Sequence, residues 1–262
     1  MTWWEAAVLG LVQGLTEFLP VSSSGHLVVA EAALGLRMPG VAFDVLLHVA
    51  TLGAVVLLYH RRIGELLGGL WRTEGGAARS LGLLVIATVP AAAVGVLFRD
   101  LFERAFDSLR IVGVDFLVTG VVLWSTRRLG GGARSEPTPA GAGAIGLAQA
   151  VAIMPGISRS GSTVAAALWV GVAPSRAAEF SFLMAIPVIM GAAVLELPEL
   201  SAPGAGTGAG ALPLIWGAAA AFLSGIVAIK LLVRVLERGA FYRFAPYCWA
   251  LGAATLAWSL LA

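Results

Sequence analysis

Cysteine, lysine and charge are scarce in this chain. Cys248 is the only cysteine and sits in an apolar stretch, which excludes an internal disulfide and any cysteine-cluster metal site and leaves packing as its expected role. Lys230 is the only lysine, charged residues make up 12% of the chain and the formal net charge is +2. The basic residues are spread among short connections rather than gathered on one face, so nucleic acid is not an expected partner. Neither a Walker loop nor a His-Glu-x-x-His zinc element occurs. The N-terminus lacks a basic n-region and a small-residue cleavage site, and its apolar stretch runs straight into Glu17 and Pro20. It is therefore expected to stay in the mature chain.

Apolar residues fill the space that charge leaves. They make up 59% of the chain, with a mean hydropathy of +0.91, which points to an all-α integral membrane protein. Six segments are long and apolar enough to cross a bilayer: roughly Val41 to His60, Leu81 to Phe98, Ile111 to Thr126, Phe180 to Leu197, Leu212 to Val233 and Phe244 to Ala262. Arginines set the expected topology. Arg61, Arg62, Arg72 and Arg79 follow the first span, Arg127, Arg128 and Arg134 the third, and Arg234, Arg238 and Arg243 the fifth; the positive-inside rule places all three groups inside. The connection Pro198 to Ala211 has no basic residue, whereas Arg99, Arg104 and Arg110 after the second span weaken the contrast.

Four shorter apolar stretches remain, Trp3 to Phe18 with Leu27 to Leu36, and Ala144 to Met154 with Val164 to Val172. Each pair flanks a polar loop and is too short for two full crossings. A re-entrant hairpin of two half-helices fits better, because irregular backbone at membrane depth is tolerated where protein or a water-filled cavity covers it. The two loops share a template. Gln13-Gly14-Leu15-Thr16-Glu17-Phe18-Leu19-Pro20-Val21-Ser22-Ser23-Ser24-Gly25-His26 and Gln149-Ala150-Val151-Ala152-Ile153-Met154-Pro155-Gly156-Ile157-Ser158-Arg159-Ser160-Gly161-Ser162 each follow Gly-Leu-x-Gln and each contain Ser-x-Ser-Gly. Likeness continues from Phe43 with Gly53-Ala54-Val55-Val56-Leu57 to Phe180 with Gly191-Ala192-Ala193-Val194-Leu195. Three spans separate the hairpins, and an odd number reverses orientation. The expected architecture is one membrane domain, 1–262, built as an inverted-topology repeat of about 1–126 and 144–262 linked by 127–143, with both tips near the midplane. Chance similarity among Gly/Ala/Ser-rich membrane helices is the alternative.

The tips carry the candidate chemistry. Gln13 and Glu17, four apart, share a helix face just before Pro20. Helix N-termini after Ser23 to Gly25 and after Ser160-Gly161 point free N–H groups at the same space and, with Arg159, describe a phosphate pocket. Ser23 and His26 are three apart, so a helical turn can bring the imidazole to the hydroxyl as a base. Ser22, Ser24, Ser158 and Ser160 can equally be helix caps or ligand contacts. Glu17 and Arg159 are charges at membrane depth and need partners, either each other alone or a functional site. Asp44 and His48, one turn apart, either line the pocket or form an interhelical hydrogen bond; Glu179 is a further pocket-lining candidate.

The first loop, together with Pro155-Gly156-Ile157-Ser158-Arg159-Ser160-Gly161-Ser162-Thr163 and Ala178-Glu179-Phe180-Ser181-Phe182-Leu183, resembles the signatures of the undecaprenyl-diphosphate phosphatase family, the bacitracin-resistance proteins, over essentially the whole chain. The resemblance implies a bacterial inner-membrane enzyme that removes the terminal phosphate of undecaprenyl diphosphate, regenerating the monophosphate carrier for cell-wall polymers, with its pocket facing the outer side. It implies that Glu17 is the base or the ligand of a divalent cation, Mg2+ or Ca2+, that Ser23 is the nucleophile, His26 its base or the acid for the leaving group, and Arg159 the phosphate-binding residue. Gln13, Ser22, Ser24, Ser158, Ser160 and Thr163 would complete the substrate-binding set. Gln13 departs from the pattern, since relatives often carry glutamate there and an amide accepts no proton. A secondary transporter or lipid flippase is the alternative that the broken-helix architecture allows. Gly- and Ala-rich helices would also permit a homodimer.

Overall fold

Long apolar runs in lipid have one economical solution: a helix satisfies every backbone N–H and C=O within the segment. A computed structural model describes residues 1–34, 41–72, 75–196 and 210–261; the regular structure among these residues is helical, and one isolated bridge pairs Arg134 with Val172. In chain order the helices are α1 (Trp3–Phe18), α2 (Ser23–Leu34), α3 (Val41–Trp71), α4 (Gly75–Leu97), α5 (Arg99–Phe106), α6 (Leu109–Ser125), α7 (Pro139–Val151), α8 (Arg159–Trp169), α9 (Pro174–Leu195), α10 (Ala211–Glu237) and α11 (Ala245–Leu261). Six segments are long and apolar enough to cross a membrane: Ala42–Trp71, Gly75–Leu97, Leu109–Arg128, Pro174–Leu195, Ala211–Glu237 and Phe241–Leu261. They correspond one for one to the six spans expected from hydropathy. The protein is a multi-pass membrane protein.

Boundaries move where caps decide them. The half-helix expected from Leu27 begins at Ser23, and the one expected from Val164 begins at Arg159, because serines just upstream cap both, as described below. Likewise α7 starts at Pro139 rather than Ala144: the Thr138 hydroxyl accepts from Gly141 N–H and the proline takes the first helical position. At the N-terminus, Thr2 and Glu5 form a capping box. The short α5, rich in charge, has no apolar run and escaped the hydropathy reading. The far ends of three expected segments (residues 35 and 36, Leu197 and Ala262) and most of the Pro198–Ala211 connection lie outside the described residues.

Lipid removes the hydrophobic drive between helices, so association depends on close backbone approach at small residues. Helix α1 lies along α10 and α7 along α4; α6 pairs with α11, and α3 packs on α9 and α10. Two glycines from the shared Gly-Leu-x-Gln template make the first two contacts. A Cβ on Gly10 would fall 2.1 Å from the carbonyl oxygen of Gly217, and one on Gly146 would fall 2.7 Å from that of Ala87. The fully buried interior includes Phe18, Phe116, Leu123, Ile145, Phe182, Met184 and Leu232. Val85, Val96, Val121 and Leu223 are among the large apolar side chains left exposed, which for spanning helices is the face toward lipid.

Candidate functional site

The end of α1 aims its last polar face at one point. Gln13 and Glu17 are both buried, and Gln13 Nε2 donates to Glu17 Oε2 at 3.1 Å, as the four-residue spacing requires. The chain then turns sharply. Leu19 is extended, Val21 N–H donates to the Leu19 carbonyl at 2.8 Å, and Ser22 adopts φ +67°, a left-handed conformation that disfavours any residue with a Cβ. Two hydrogen bonds hold Ser22 there: its Oγ accepts from Gly25 N–H at 3.4 Å and from Gly156 N–H at 3.1 Å. The first caps α2; the second reaches across 134 positions to the other loop.

The second tip repeats the device. Ser158 Oγ accepts from Gly161 N–H at 3.0 Å and lies 3.2 Å from Ser160 Oγ, as Ser22 Oγ lies 3.3 Å from Ser24 Oγ. The leading serine of each Ser-x-Ser-Gly element is therefore a helix cap, and its partner serine packs against it. Ser160 also donates to the Leu19 carbonyl at 3.0 Å, stitching the tips together a second time. Gly156 has φ +103°, and a Cβ there would strike the Val112 carbonyl oxygen at 2.6 Å. Thr119 on α6 anchors the turn by donating to the Gly156 carbonyl at 2.8 Å and accepting from Ser158 N–H at 3.0 Å.

Between the tips lies a cluster centred on Glu17. Its Oε1 accepts from Arg159 Nη2 at 2.5 Å, and its Oε2 accepts from Ser23 Oγ at 2.6 Å. His48 Nε2 stands 3.8 Å from the same Oε2. On the other side of that ring, Nδ1–H donates to the Asp44 carbonyl at 2.9 Å, with the Asp44 carboxylate at 3.5 Å. The pair is sheltered, with the Arg159 side chain 15% exposed and that of Glu17 5%. Two polar atoms here, Arg159 Nη1 and Gln13 Oε1, are buried without a hydrogen-bond partner. A guanidinium with one arm neutralised and the other unmet has capacity for an anion beyond Glu17.

Other expected members sit differently. His26 does not bond to Ser23: its Nδ1–H donates to the Ser22 carbonyl at 2.7 Å, and its Nε2 accepts from the Tyr247 hydroxyl at 2.7 Å. Thr163 donates to the Arg159 carbonyl at 2.8 Å and shares a 2.7 Å hydrogen bond with Ser181, tying α8 to α9. Glu179 belongs to a separate network, accepting from Arg62 at 3.0 Å and Arg176 at 2.8 Å; Arg62 also pairs with Glu65 and Glu136, and Ser80 hydrogen-bonds Glu136. Sequence reasoning passed over Tyr247 and Thr119. Both lie inside spanning helices, where a lone hydroxyl gives no periodic signal.

Among the described residues no group of three or more His, Cys, Asp or Glu side chains could hold a metal. Residues 6–254 match the family described as bacitracin resistance protein BacA. The chain belongs to the bacitracin resistance protein BacA family. Within it, the chain is 46% identical over 258 residues to an undecaprenyl-diphosphatase of Syntrophotalea carbinolica, covering 96% of this chain and 97% of that one. It is 42% identical to an undecaprenyl-diphosphatase of Carboxydothermus hydrogenoformans over 98% of this chain and 97% of that one. A third, from Desulforapulum autotrophicum, is 40% identical over 96% of each chain.

Proposed function

We propose that this protein is a membrane phosphatase that hydrolyses undecaprenyl diphosphate to undecaprenyl phosphate and inorganic phosphate at the cluster between the two tips. One observation carries the reading beyond the likeness to named phosphatases: the Ser23 hydroxyl donates to Glu17 while Glu17 also accepts from Arg159. Nucleophile, proton acceptor and phosphate-binding cation thus share one carboxylate. In the first step Ser23 Oγ attacks the terminal phosphorus, its proton passes to Glu17 Oε2, and the phosphoanhydride P–O bond breaks to release the polyprenyl monophosphate. Arg159 Nη1 and the N–H groups opening α2 and α8 stabilise charge on the phosphoryl oxygens. Water then cleaves the phosphoserine: its oxygen joins phosphorus as its proton passes to His26 Nε2, and Glu17 returns its proton to the departing Ser23 Oγ, giving inorganic phosphate and regenerating the hydroxyl. Direct attack by water with Glu17 as base is the second reading, and trapping a phosphoserine at Ser23 decides for the covalent route.

A divalent cation is part of this proposal. Where Glu17 is a cation ligand instead of the base, Gln13 Oε1, buried and without a partner, and Glu17 Oε2 are hard oxygen donors on one helix face, and Mg2+ or Ca2+ held by them would draw its remaining ligands from substrate phosphates and water. When bound it would neutralise charge on the diphosphate.

The architectural part of the proposal is an inverted repeat, about 1–126 and 144–262. Its support is the exchange of packing partners, α1 on α10 and α7 on α4, with a template glycine at each crossing. The ion pair between Arg62 and Glu179 sets the far end of α3 beside the start of α9. Since α3 is long enough to span, the hairpins α1–α2 and α7–α8 would then enter from opposite faces. With the arginine-rich connections inside, the Glu17 hairpin enters from the outer side of the bacterial inner membrane. Single cysteines in a Cys248→Ser background test this: Ala33→Cys should react with an impermeant thiol reagent on intact cells and Trp169→Cys should not. The reverse pattern removes the outward assignment.

Phosphate release from a long-chain prenyl diphosphate in detergent or proteoliposomes tests the activity. Lipid movement across vesicles without hydrolysis would favour the transporter or flippase instead. A homodimer would be read from the particle mass in detergent.

A further inference from the structure

His26 has both ring nitrogens committed, and each commitment comes from a different part of the chain. Nδ1–H donates to the Ser22 carbonyl within the first tip, at 2.7 Å. This leaves Nε2 as the lone-pair nitrogen, and the Tyr247 hydroxyl on α11 donates to it, also at 2.7 Å, across 221 positions. The two rings lie nearly parallel, 6° apart in plane. Phe116 on α6 closes the third side, edge-on at 85° with its centroid 5.3 Å away. Among the described residues no carboxylate or guanidinium forms an ion pair with this imidazole; its polar neighbours include the Ser22 and Val21 carbonyls and the Tyr247 phenol.

Resting on the phosphatase reading, we infer that Tyr247 is a positioning residue for the reaction, acting through His26. The Ser22 carbonyl selects the tautomer, and the Tyr247 hydroxyl fixes where the Nε2 lone pair points. A neutral imidazole whose lone pair already accepts an O–H is held in the form a base needs. A water or substrate oxygen that takes the place of the phenol meets that lone pair with neither tautomer exchange nor a large ring rotation. Such preorganisation acts on the chemical step and leaves ground-state binding of the diphosphate, which Arg159 would carry, largely untouched. Tyr247 is about half exposed, at 49%, so the bond is not an incidental product of a sealed core.

Tyr247→Phe isolates the hydroxyl, because the ring and its packing remain. The expected result is a fall in kcat of roughly three- to tenfold, the range of one neutral hydrogen bond, with KM little changed. In 15N-histidine-labelled protein the Nε2 resonance of His26 should move while its Nδ1–H signal persists. An unchanged melting profile in detergent confirms folding; should the variant melt early, 3-fluorotyrosine at position 247, which keeps the ring and alters only the acidity of the hydroxyl, should still shift kcat and the His26 resonance together. Wild-type kcat in Tyr247→Phe overturns the inference, and so does a loss of rate with the His26 resonance unmoved, since the effect would not then pass through the imidazole. Wild-type protein that releases no phosphate sinks the phosphatase reading itself, a result visible before any variant is made.

Discussion

Arg159 and Glu17 are 142 positions apart in the chain and 2.5 Å apart in space, and both are largely withdrawn from solvent. Breaking such a pair by removing one partner strands a buried charge, at a cost of about 3–5 kcal/mol. Arg159→Ala should therefore lower both the melting temperature and phosphate release, the latter by two or more orders of magnitude. Arg159→Lys keeps the charge but cannot serve Glu17 and a phosphate with separate arms. It should hold most of the stability and recover little of the activity. Melting curves and phosphate release on the same samples check both, and a fully active Arg159→Lys would show that the guanidinium geometry is dispensable.

Ser23 tests whether Glu17 acts as its proton acceptor. Ser23→Ala removes the attacking oxygen and the 2.6 Å hydrogen bond but leaves the Glu17–Arg159 pair in place. Turnover should fall at least a hundredfold while binding of an unreactive diphosphate analogue stays within a few-fold of the wild type. Residual turnover near the wild-type rate would favour direct attack by water.

Much of this site was legible in the sequence, for physical reasons that can be named. Charges and serines are expensive in an apolar chain, so Glu17, Ser23, His26 and Arg159 stand out, and the shared loop template relates two distant segments. The six spans were plain because length and hydropathy alone define them. What could not be read was direction. Three-residue spacing brings Ser23 and His26 near each other but does not say which way each side chain turns, and the hydroxyl faces Glu17 while the imidazole faces Tyr247. Nor does spacing tell Glu179, tied to Arg62 and Arg176, from an acidic group of the pocket. The serines offered two roles each, and Ser22 and Ser158 are caps because only their Oγ atoms reach the glycine N–H three residues on.

Ser22 joins local strain to long-range pairing. Ser22→Ala keeps the φ +67° backbone but leaves the N–H groups of Gly25 and Gly156 without their acceptor, and an unmet buried donor costs about 1–3 kcal/mol. Ser22→Gly loses the same bonds yet relieves the left-handed conformation, worth roughly 1 kcal/mol. Glycine should therefore be the less destabilising of the two, an order opposite to that found inside a helix. Thermal melting in one detergent ranks them.

Gly10 and Gly146 make the same structural demand at two helix crossings. A methyl group at either position would overlap backbone of the facing helix, which cannot yield as a flexible side chain can. Gly10→Ala should separate α1 from α10 and Gly146→Ala should separate α7 from α4, each costing about 1–3 kcal/mol as overpacking. Gly143, with nothing within 4 Å of an added Cβ, is the control on the same helix as Gly146, and Gly143→Ala should be neutral or slightly stabilising. Equal tolerance at all three positions would mean that the crossings are looser than the structure has them.

Gln13 puts a neutral amide one helical turn from Glu17, and it bears on the metal. Its Nε2 donates to Glu17 at 3.1 Å, a bond a carboxylate at position 13 cannot make. Gln13→Glu would place two negative groups on one turn beside Arg159 and the His48 ring, and like charges so close repel. A divalent cation relieves that repulsion, so the variant should bind Mg2+ or Ca2+ more tightly than the wild type. Half-maximal phosphate release should then come at a cation concentration about tenfold lower, and cation-free protein should melt earlier than the wild type and recover on addition of Mg2+. Melting reports the cation without relying on turnover, so an indifferent melting curve in both proteins would take the metal away from Gln13 and Glu17 even if activity still required it.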